Sequence, residues 1–149
     1  MRLVRCVPAT VAATVAALSW PGPTMGLDRD TATLKIKSVK VRATKPGGAS
    51  WDVGGGAPDL RVSIQKKSRH AGEKFISQVK PDTFEATYEV ETLRVEDGDT
   101  IEVLVVDEDA VNHDLVGKVS KKITGEMIRA GEAEWSFGEV LSMRIAFVD

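Results

Sequence analysis

Length, composition and charge together exclude several classes of protein. The chain has 149 residues, 42% of them hydrophobic and 28% charged, so it can bury one sizeable core but is too short for a two-domain enzyme. A net charge of −2 disfavours a nucleic-acid binder, which gains affinity by neutralising phosphates, and the single cysteine, Cys6, excludes a disulfide framework and a thiolate zinc site.

The first 26 residues have the order of a secretory signal peptide. Arg2 and Arg5 precede an apolar run over residues 7–18, and Pro21-Gly22-Pro23 ends any helix soon afterwards. The run is shorter than the roughly 20 apolar residues that cross a bilayer as a helix, which predicts no transmembrane anchor.

Small residues suitable for signal cleavage occur at two places in this segment. We expect cleavage after Gly26, with Ser19 as the alternative, which leaves a secreted or periplasmic domain over residues 27–149. If Met25 is instead the true initiator, the protein is expected in the cytoplasm.

Alternating apolar residues and frequent turn formers predict about eight short strands after the leader. In chain order, the predicted strands cover Leu34–Val41, Leu60–Ile64, Phe75–Val79, Phe84–Val90, Thr100–Val106, Leu115–Val119, Glu134–Phe137 and Val140–Val148. One short helix is predicted over Gly125–Gly131, closed by the glycine. The fold class is therefore all-β, an eight-stranded antiparallel β-sandwich with one short helix between late strands.

The segment Thr100–Val106 is the most apolar of the predicted strands. Its nearly continuous apolar run predicts a central strand that is buried on both faces. Asp107 and Asp109 follow it directly, and Asp114 precedes the next strand. If the extended backbone continues past Val106, the first two carboxylates leave on the same face, about 6–7 Å apart by strand rise.

A second acidic loop lies between the first two predicted strands. Asp52 and Asp59 stand at the two ends of a stretch that contains Gly54-Gly55-Gly56. If both loops share one end of the sandwich, the five aspartates repel one another unless a cation is bound. Calcium suits such a site because it accepts six to eight oxygens in irregular geometry. The alternative is that each aspartate only ends a strand or caps a turn.

These two loops and their strands resemble the C2 domain, a family of calcium-dependent phospholipid-binding β-sandwiches. The most specific match is the strand and acidic segment Ile101–Asp109 followed by Asp114-Leu115-Val116-Gly117, and a second match covers Asp52–Val62. The likeness extends from about Leu34 to Val148. Asp52 to Asp59 is one residue longer, and Asp107 to Asp114 one residue shorter, than is common in the family.

The resemblance implies a site as well as a fold. In such domains, aspartates of two loops bind two or three calcium ions, which then bridge to anionic lipid headgroups. Carried over to this chain, the ligands are Asp52, Asp59, Asp107, Asp109 and Asp114.

Residues other than the predicted metal ligands suggest further contacts with a membrane. Lys66, Lys67 and Arg69 form a basic cluster that is expected either to touch an anionic surface or to be a solvated strand edge. Val53 and Val111 stand at the predicted loop tips, where they are expected either to enter a headgroup region or to be ordinary exposed residues. A zinc site that uses His113 with Asp109 or Asp114 is a weaker alternative.

The leading hypothesis is a non-enzymatic, monomeric calcium-binding module that docks on anionic phospholipid surfaces or acidic protein partners. The alternative is a calcium-independent scaffold domain that binds protein through a sheet face or edge strand. A third option is a metal-dependent hydrolase that uses the same acids. The sequence contains no nucleophile elbow or phosphate loop to support it.

Overall fold

The computed structural model describes residues 30–52, 55–67, 72–109 and 113–149. The predicted signal segment, residues 1–26, lies outside this range. Within it the strands are β1 (Thr31–Val41), β2 (Leu60–Lys66), β3 (Lys74–Ile76), β4 (Glu85–Glu96), β5 (Thr100–Glu108), β6 (His113–Lys122), β7 (Glu132–Phe137) and β8 (Val140–Val148), with helix α1 (Gly125–Ala130) before β7.

The strands form two four-stranded antiparallel sheets that pack as a sandwich. The strand order is β4-β1-β8-β7 in the first sheet and β3-β2-β5-β6 in the second. The core lies between them, filled by the inward-facing side chains of every second residue, such as Ile36, Ile64 and Ile145, which are fully buried. The predicted eight-stranded antiparallel β-sandwich is confirmed.

Helix α1 forms where the sequence predicts it. The hydroxyl of Thr124 accepts a hydrogen bond from the backbone N–H of Met127 and caps the first turn. Gly131 ends the helix in the left-handed conformation, with φ 76°. No helix in the described ranges is long and apolar enough to cross a membrane.

The prediction that β5 is buried on both faces is wrong. Val103 and Val105 are fully buried, but Leu104 and Val106 on the opposite face are only half-buried. A two-layer sandwich has no third layer to cover the outer face of a sheet, so even its central strands alternate in burial. The apolar run reflects partial cover by neighbouring side chains on that face.

The strand register defines two ends of the sandwich. Leu60 pairs with Asp107 at one end, which we call the acidic pole, and Lys66 pairs with Ile101 at the other end, the distal pole. Asp30 lies at the distal pole, where its carbonyl accepts a hydrogen bond from the N–H of Asp97, and β8 ends there beside Thr33. Both ends of the described domain are therefore remote from the aspartate loops.

The two sheets approach each other closely beside β6. A Cβ atom on Gly117 would lie 2.7 Å from the carbonyl oxygen of Phe137, and one on Gly138 would lie 2.8 Å from that of Val116. The N–H of Glu139 donates to the same Val116 carbonyl over 2.8 Å. This side of the sandwich thus closes by direct backbone contact, which glycine permits.

Candidate metal centre

The β1–β2 and β5–β6 loops meet at the acidic pole and are joined by backbone hydrogen bonds. The N–H of Asp59 donates to Oδ1 of Asp107 over 2.7 Å. The N–H of Glu108 donates to the carbonyl of Asp59 over 2.8 Å. The antiparallel pairing of β2 with β5 thus brings together two acidic segments that are about 50 residues apart in the chain.

Three of the five predicted ligands form a cluster. Asp52, Asp107 and Asp109 each present one carboxylate oxygen, and these oxygens all lie within 4.8 Å of one another. Asp107 is fully buried, whereas Asp52 and Asp109 are half-buried. Among the described residues, this is the one group of three or more potential metal ligands, and it contains no histidine, so the geometry does not support a zinc site built on His113.

The carboxylate of Asp107 is satisfied on one oxygen only. Its Oδ1 accepts the Asp59 N–H, but its Oδ2 has no hydrogen-bond partner among the described residues. Burial raises the pKa of Asp107 above its ordinary value of 3.8, and the charges of Asp109 and Asp52 raise it further. A buried polar atom without a partner costs about 1–3 kcal/mol, and more when it is charged. A bound cation would relieve that cost.

Asp52 lies in the same electrostatic environment. Loss of hydration raises the pKa of its carboxyl, and the nearby charges of Asp109, Asp59 and Asp82 act in the same direction. Its carboxylate packs against Gly56, where a Cβ atom would lie 2.8 Å from Oδ2 of Asp52. Gly56 therefore leaves space for this carboxylate.

The side chain of Asp59 is used in a different contact. Its Oδ1 accepts a 2.8 Å hydrogen bond from the N–H of Asp82, in the β3–β4 connection. Asp82 adopts φ 47°, in the left-handed region that Asn and Asp tolerate better than most residues. From the sequence, Pro81-Asp82 is recognisable only as a turn, and the negative charge that Asp82 adds to the acidic pole was missed. The isolated bridge between Leu60 and Lys80 brings this connection there.

Asp114 is ion-paired within the protein. Its Oδ2 accepts a hydrogen bond from the ammonium group of Lys45. The Nζ atom of Lys45 also lies 5.7 Å from the centre of the Trp51 ring. Trp51 is buried, and its ring N–H donates to the carbonyl of Arg42 over 2.8 Å. Lys45 was not predicted as a site residue, because it lies in a Lys-Pro-Gly-Gly turn with no acidic neighbour in sequence.

Two of the five predicted membrane-contact residues, Lys66 and Lys67, lie in the described part of the chain. Val53, Val111 and Arg69 lie outside the described residues. Lys66 and Lys67 lie at the distal pole, paired with Asp99 over 2.6 Å and Glu102 over 3.1 Å. They therefore lie at the opposite end of β2 from the aspartates.

Comparison with known proteins identifies the fold. No protein-family model matches the chain, and no curated protein sequence matches it significantly. A solved structure described as a C2 domain is 17% identical with a TM-score of 0.57, and the match covers 79% of this chain and 96% of that one. The chain adopts the fold of a C2 domain, as its sequence resemblance predicts.

Two larger proteins contain a similar unit. Human GIVD cytosolic phospholipase A2 in complex with methyl gamma-linolenyl fluorophosphonate is 20% identical with a TM-score of 0.60, over 79% of this chain and 16% of the phospholipase. A calcium-bound structure of two C2 domains of extended synaptotagmin 2 is 16% identical with a TM-score of 0.52, over 80% of this chain and 46% of that one. The chain thus spans about a sixth of the phospholipase and under half of the two-domain structure.

Proposed function

We propose that the protein is a non-enzymatic module that binds calcium at its acidic pole and then docks on an anionic phospholipid surface. The observation that carries the proposal is the buried Asp107 carboxylate, whose Oδ2 lacks a partner within the described residues and which lies in a cluster with Asp52 and Asp109. Such an arrangement is costly for the metal-free protein and favourable once a cation is bound.

The donors of the cluster favour calcium over other ions. Asp52, Asp107 and Asp109 offer only carboxylate oxygens, which suit hard cations. Calcium tolerates the irregular geometry expected of carboxylates from two separate acidic segments, whereas magnesium demands near-ideal octahedral order. Water or lipid phosphate oxygens would complete the six to eight ligands that calcium takes.

The charge at the acidic pole supports a membrane role that depends on calcium. Asp59 and Asp82 add their charges to those of the cluster, and without metal these acids repel anionic headgroups. Bound calcium would neutralise part of this charge and supply open coordination positions. The similar extended synaptotagmin 2 structure is described as calcium bound, which supports the same reading here.

A second candidate function is a calcium-independent protein-interaction domain. The outer face of the second sheet carries an apolar stripe on β5 and β6, where the half-buried Leu104 and Val106 lie beside Leu115, which is 57% exposed. Such a stripe fits a protein partner better than a lipid headgroup. Loss of partner binding on removal of the acids distinguishes the two functions.

The decisive experiment is a calorimetric titration of the full chain with calcium and with magnesium. We expect calcium to bind more tightly than magnesium, and the Asp109→Asn variant to lose calcium binding. Asp97→Asn is the matched control, because it removes the same charge from the distal pole, where Asp97 accepts the N–H of Gly125.

Vesicle sedimentation then separates the two candidate functions. With calcium present, the protein should sediment with vesicles that contain phosphatidylserine and should stay in solution with phosphatidylcholine alone. Absence of calcium binding at millimolar concentration in the titration would contradict the proposed function.

A further inference from the structure

Lys45 places a positive charge beside the acids of the candidate metal centre. Its ammonium group is bonded to Asp114 and lies above the Trp51 ring. Its side chain is 25% exposed, although it belongs to a turn outside the strands. The ring of Trp51 is fixed by its own hydrogen bond to Arg42, so the lysine stem rests on a rigid support.

The charge of Lys45 acts on the whole cluster and not on Asp114 alone. The pKa of Lys45 is raised, first by its hydrogen bond to Asp114 and also by the charges of Asp107 and Asp109. Conversely, its charge lowers the pKa of both Asp52 and Asp107, against the larger effect of burial. Asp114 also stands opposite Asp107 in the pairing of β5 with β6, so the ammonium group lies beside the carboxylates that would bind a metal ion.

We propose that Lys45 is a built-in counterion that competes with calcium for the acidic pole and keeps Asp114 out of the metal-binding set until the ion displaces it. The inference rests on the proposed calcium site and adds a residue that sets its affinity. It predicts that Lys45 partly balances the charge of the acids in the metal-free protein. It also predicts that calcium binds in two steps. Calcium enters at Asp52, Asp107 and Asp109, and the Lys45–Asp114 pair then separates.

Lysine is suited to this role because it is a compact charge on a flexible stem, unlike the rigid fork of arginine. The turn that follows it contains Gly47 and Gly48, both with positive φ, and a Cβ atom at either would meet nothing within 4 Å. The turn beyond Lys45 is therefore uncrowded at both glycines, and the lysine side chain itself is 25% exposed. Asp114, whose side chain is 45% exposed, has similar freedom to rotate.

The test compares two lysine variants in calcium titrations of the full chain at fixed ionic strength. Lys45→Met removes the charge and keeps an apolar stem over Trp51. Lys66→Met is the matched control, because Lys66 pairs with Asp99, has a side chain 26% exposed, and lies at the distal pole. Both variants change the net charge equally, so a difference between them reports the position of the charge.

We expect Lys45→Met to bind calcium at least about fivefold more tightly than the wild type, the lower end of typical coupling between two sites. Lys66→Met should change the affinity less than about twofold, because its charge is remote from the cluster and screened by salt. Adding Asp114→Asn to Lys45→Met should remove most of the gain. Unchanged or weaker binding by a folded Lys45→Met variant would overturn the inference while leaving the calcium site intact.

A measurement on the wild type covers the case in which Lys45→Met does not fold. The rate at which an amine-reactive acetylating reagent modifies Lys45, followed by mass spectrometry, should rise when calcium is added, while that of Lys66 stays constant. A constant rate at Lys45 in calcium-saturated protein contradicts the inference. If neither the wild type nor Lys45→Met binds calcium, the proposed function itself fails.

Discussion

The backbone N–H of Asp59 donates its hydrogen bond to Oδ1 of Asp107, and this contact fixes the geometry of the acidic pole. It holds the buried carboxylate in one orientation and leaves Oδ2 without a partner within the described residues. The same residue, Asp59, accepts from the N–H of Asp82 with its own side chain. Asp59 therefore links its own loop to Asp107 and to Asp82. The stability of the acidic pole is coupled to the charge of these aspartates.

Asp107→Asn should have opposite effects on the metal-free and the metal-bound protein. The amide keeps an oxygen for the Asp59 N–H and removes a buried charge that Asp52 and Asp109 repel. In chelator we expect the melting temperature to rise by about 3–6 °C, which is near 1 kcal/mol for a domain of this size. The rise in melting temperature that calcium produces in the wild type should disappear.

Glu108→Gln is the control for that variant. Glu108 is the next residue on β5 but its carboxylate accepts from Arg61 over 2.6 Å, away from the cluster. We expect it to keep the calcium response and to lower the stability slightly in both conditions. If Asp107→Asn melts at a lower temperature than the wild type in chelator, the charge of Asp107 is already compensated in the metal-free protein.

The pH dependence of stability should reveal the raised pKa of Asp107. Because this pKa lies above 3.8 in the folded protein, the folded state binds the proton more tightly than the unfolded chain. The ionised group therefore lowers stability at neutral pH, and that penalty disappears as the pH falls through the range just above 3.8. The stability advantage of Asp107→Asn over the wild type in chelator should shrink across the same range, as measured by urea unfolding.

Calcium affinity should fall over the same pH range. The ion needs ionised carboxylates, and the raised pKa values of Asp52 and Asp107 make protons stronger competitors than at ordinary aspartates. Titrations at successive pH values should show proton release on binding in that range. A calcium affinity that stays constant down to the ordinary aspartate pKa would contradict the assignment of these two ligands.

Gly56→Ala should weaken calcium binding through Asp52. The added methyl group would lie 2.8 Å from Oδ2 and 3.0 Å from Cβ of Asp52, so the carboxylate must turn away from the cluster. We expect an affinity loss of about tenfold, at the lower end of what supporting residues cost at metal sites. Calorimetry of the double variant Asp52→Asn/Gly56→Ala tests whether the effect acts through Asp52. If it does, adding Gly56→Ala to Asp52→Asn should not lower the calcium affinity further.

Gly117→Ala tests the closure of the sandwich, with little effect on the metal site. Its Cβ would lie 2.7 Å from the Phe137 carbonyl oxygen and 2.9 Å from the Phe137 ring, so the two sheets must separate slightly. Overpacking of this kind costs about 1–3 kcal/mol, which urea unfolding measures. The folded variant should retain wild-type calcium affinity, and unchanged unfolding would show that the edge can relax.

The sequence contains enough local information to predict the architecture. Alternation of apolar residues predicts the strands, and Gly125–Gly131 carries its own stop signal in the terminal glycine. The proximity of Asp52 to Asp107 and Asp109 follows from the pairing of β2 with β5, which places the loops beside these strands at one end of the sandwich. The double-sided burial of β5 was wrong because an apolar run does not distinguish full burial from partial cover on an outer face.

The parts of the site that the sequence did not reveal depend on contacts between distant segments. Lys45 is 69 residues from Asp114, and no local pattern marks it as a partner. Asp82 reaches the pole only because the connection after β3 bridges back to Leu60. Asp59 and Asp114, which sequence reasoning grouped with the other acids, instead bond to Asp82 and Lys45.

The position of the two ends of the domain has a practical consequence. Asp30 and the last residue of β8 both lie at the end of the sandwich remote from the aspartates. A fluorescent reporter fused after Asp149 would therefore lie on the side of the domain opposite the aspartates. One labelled protein can test the proposed attachment to a lipid layer without obstructing it.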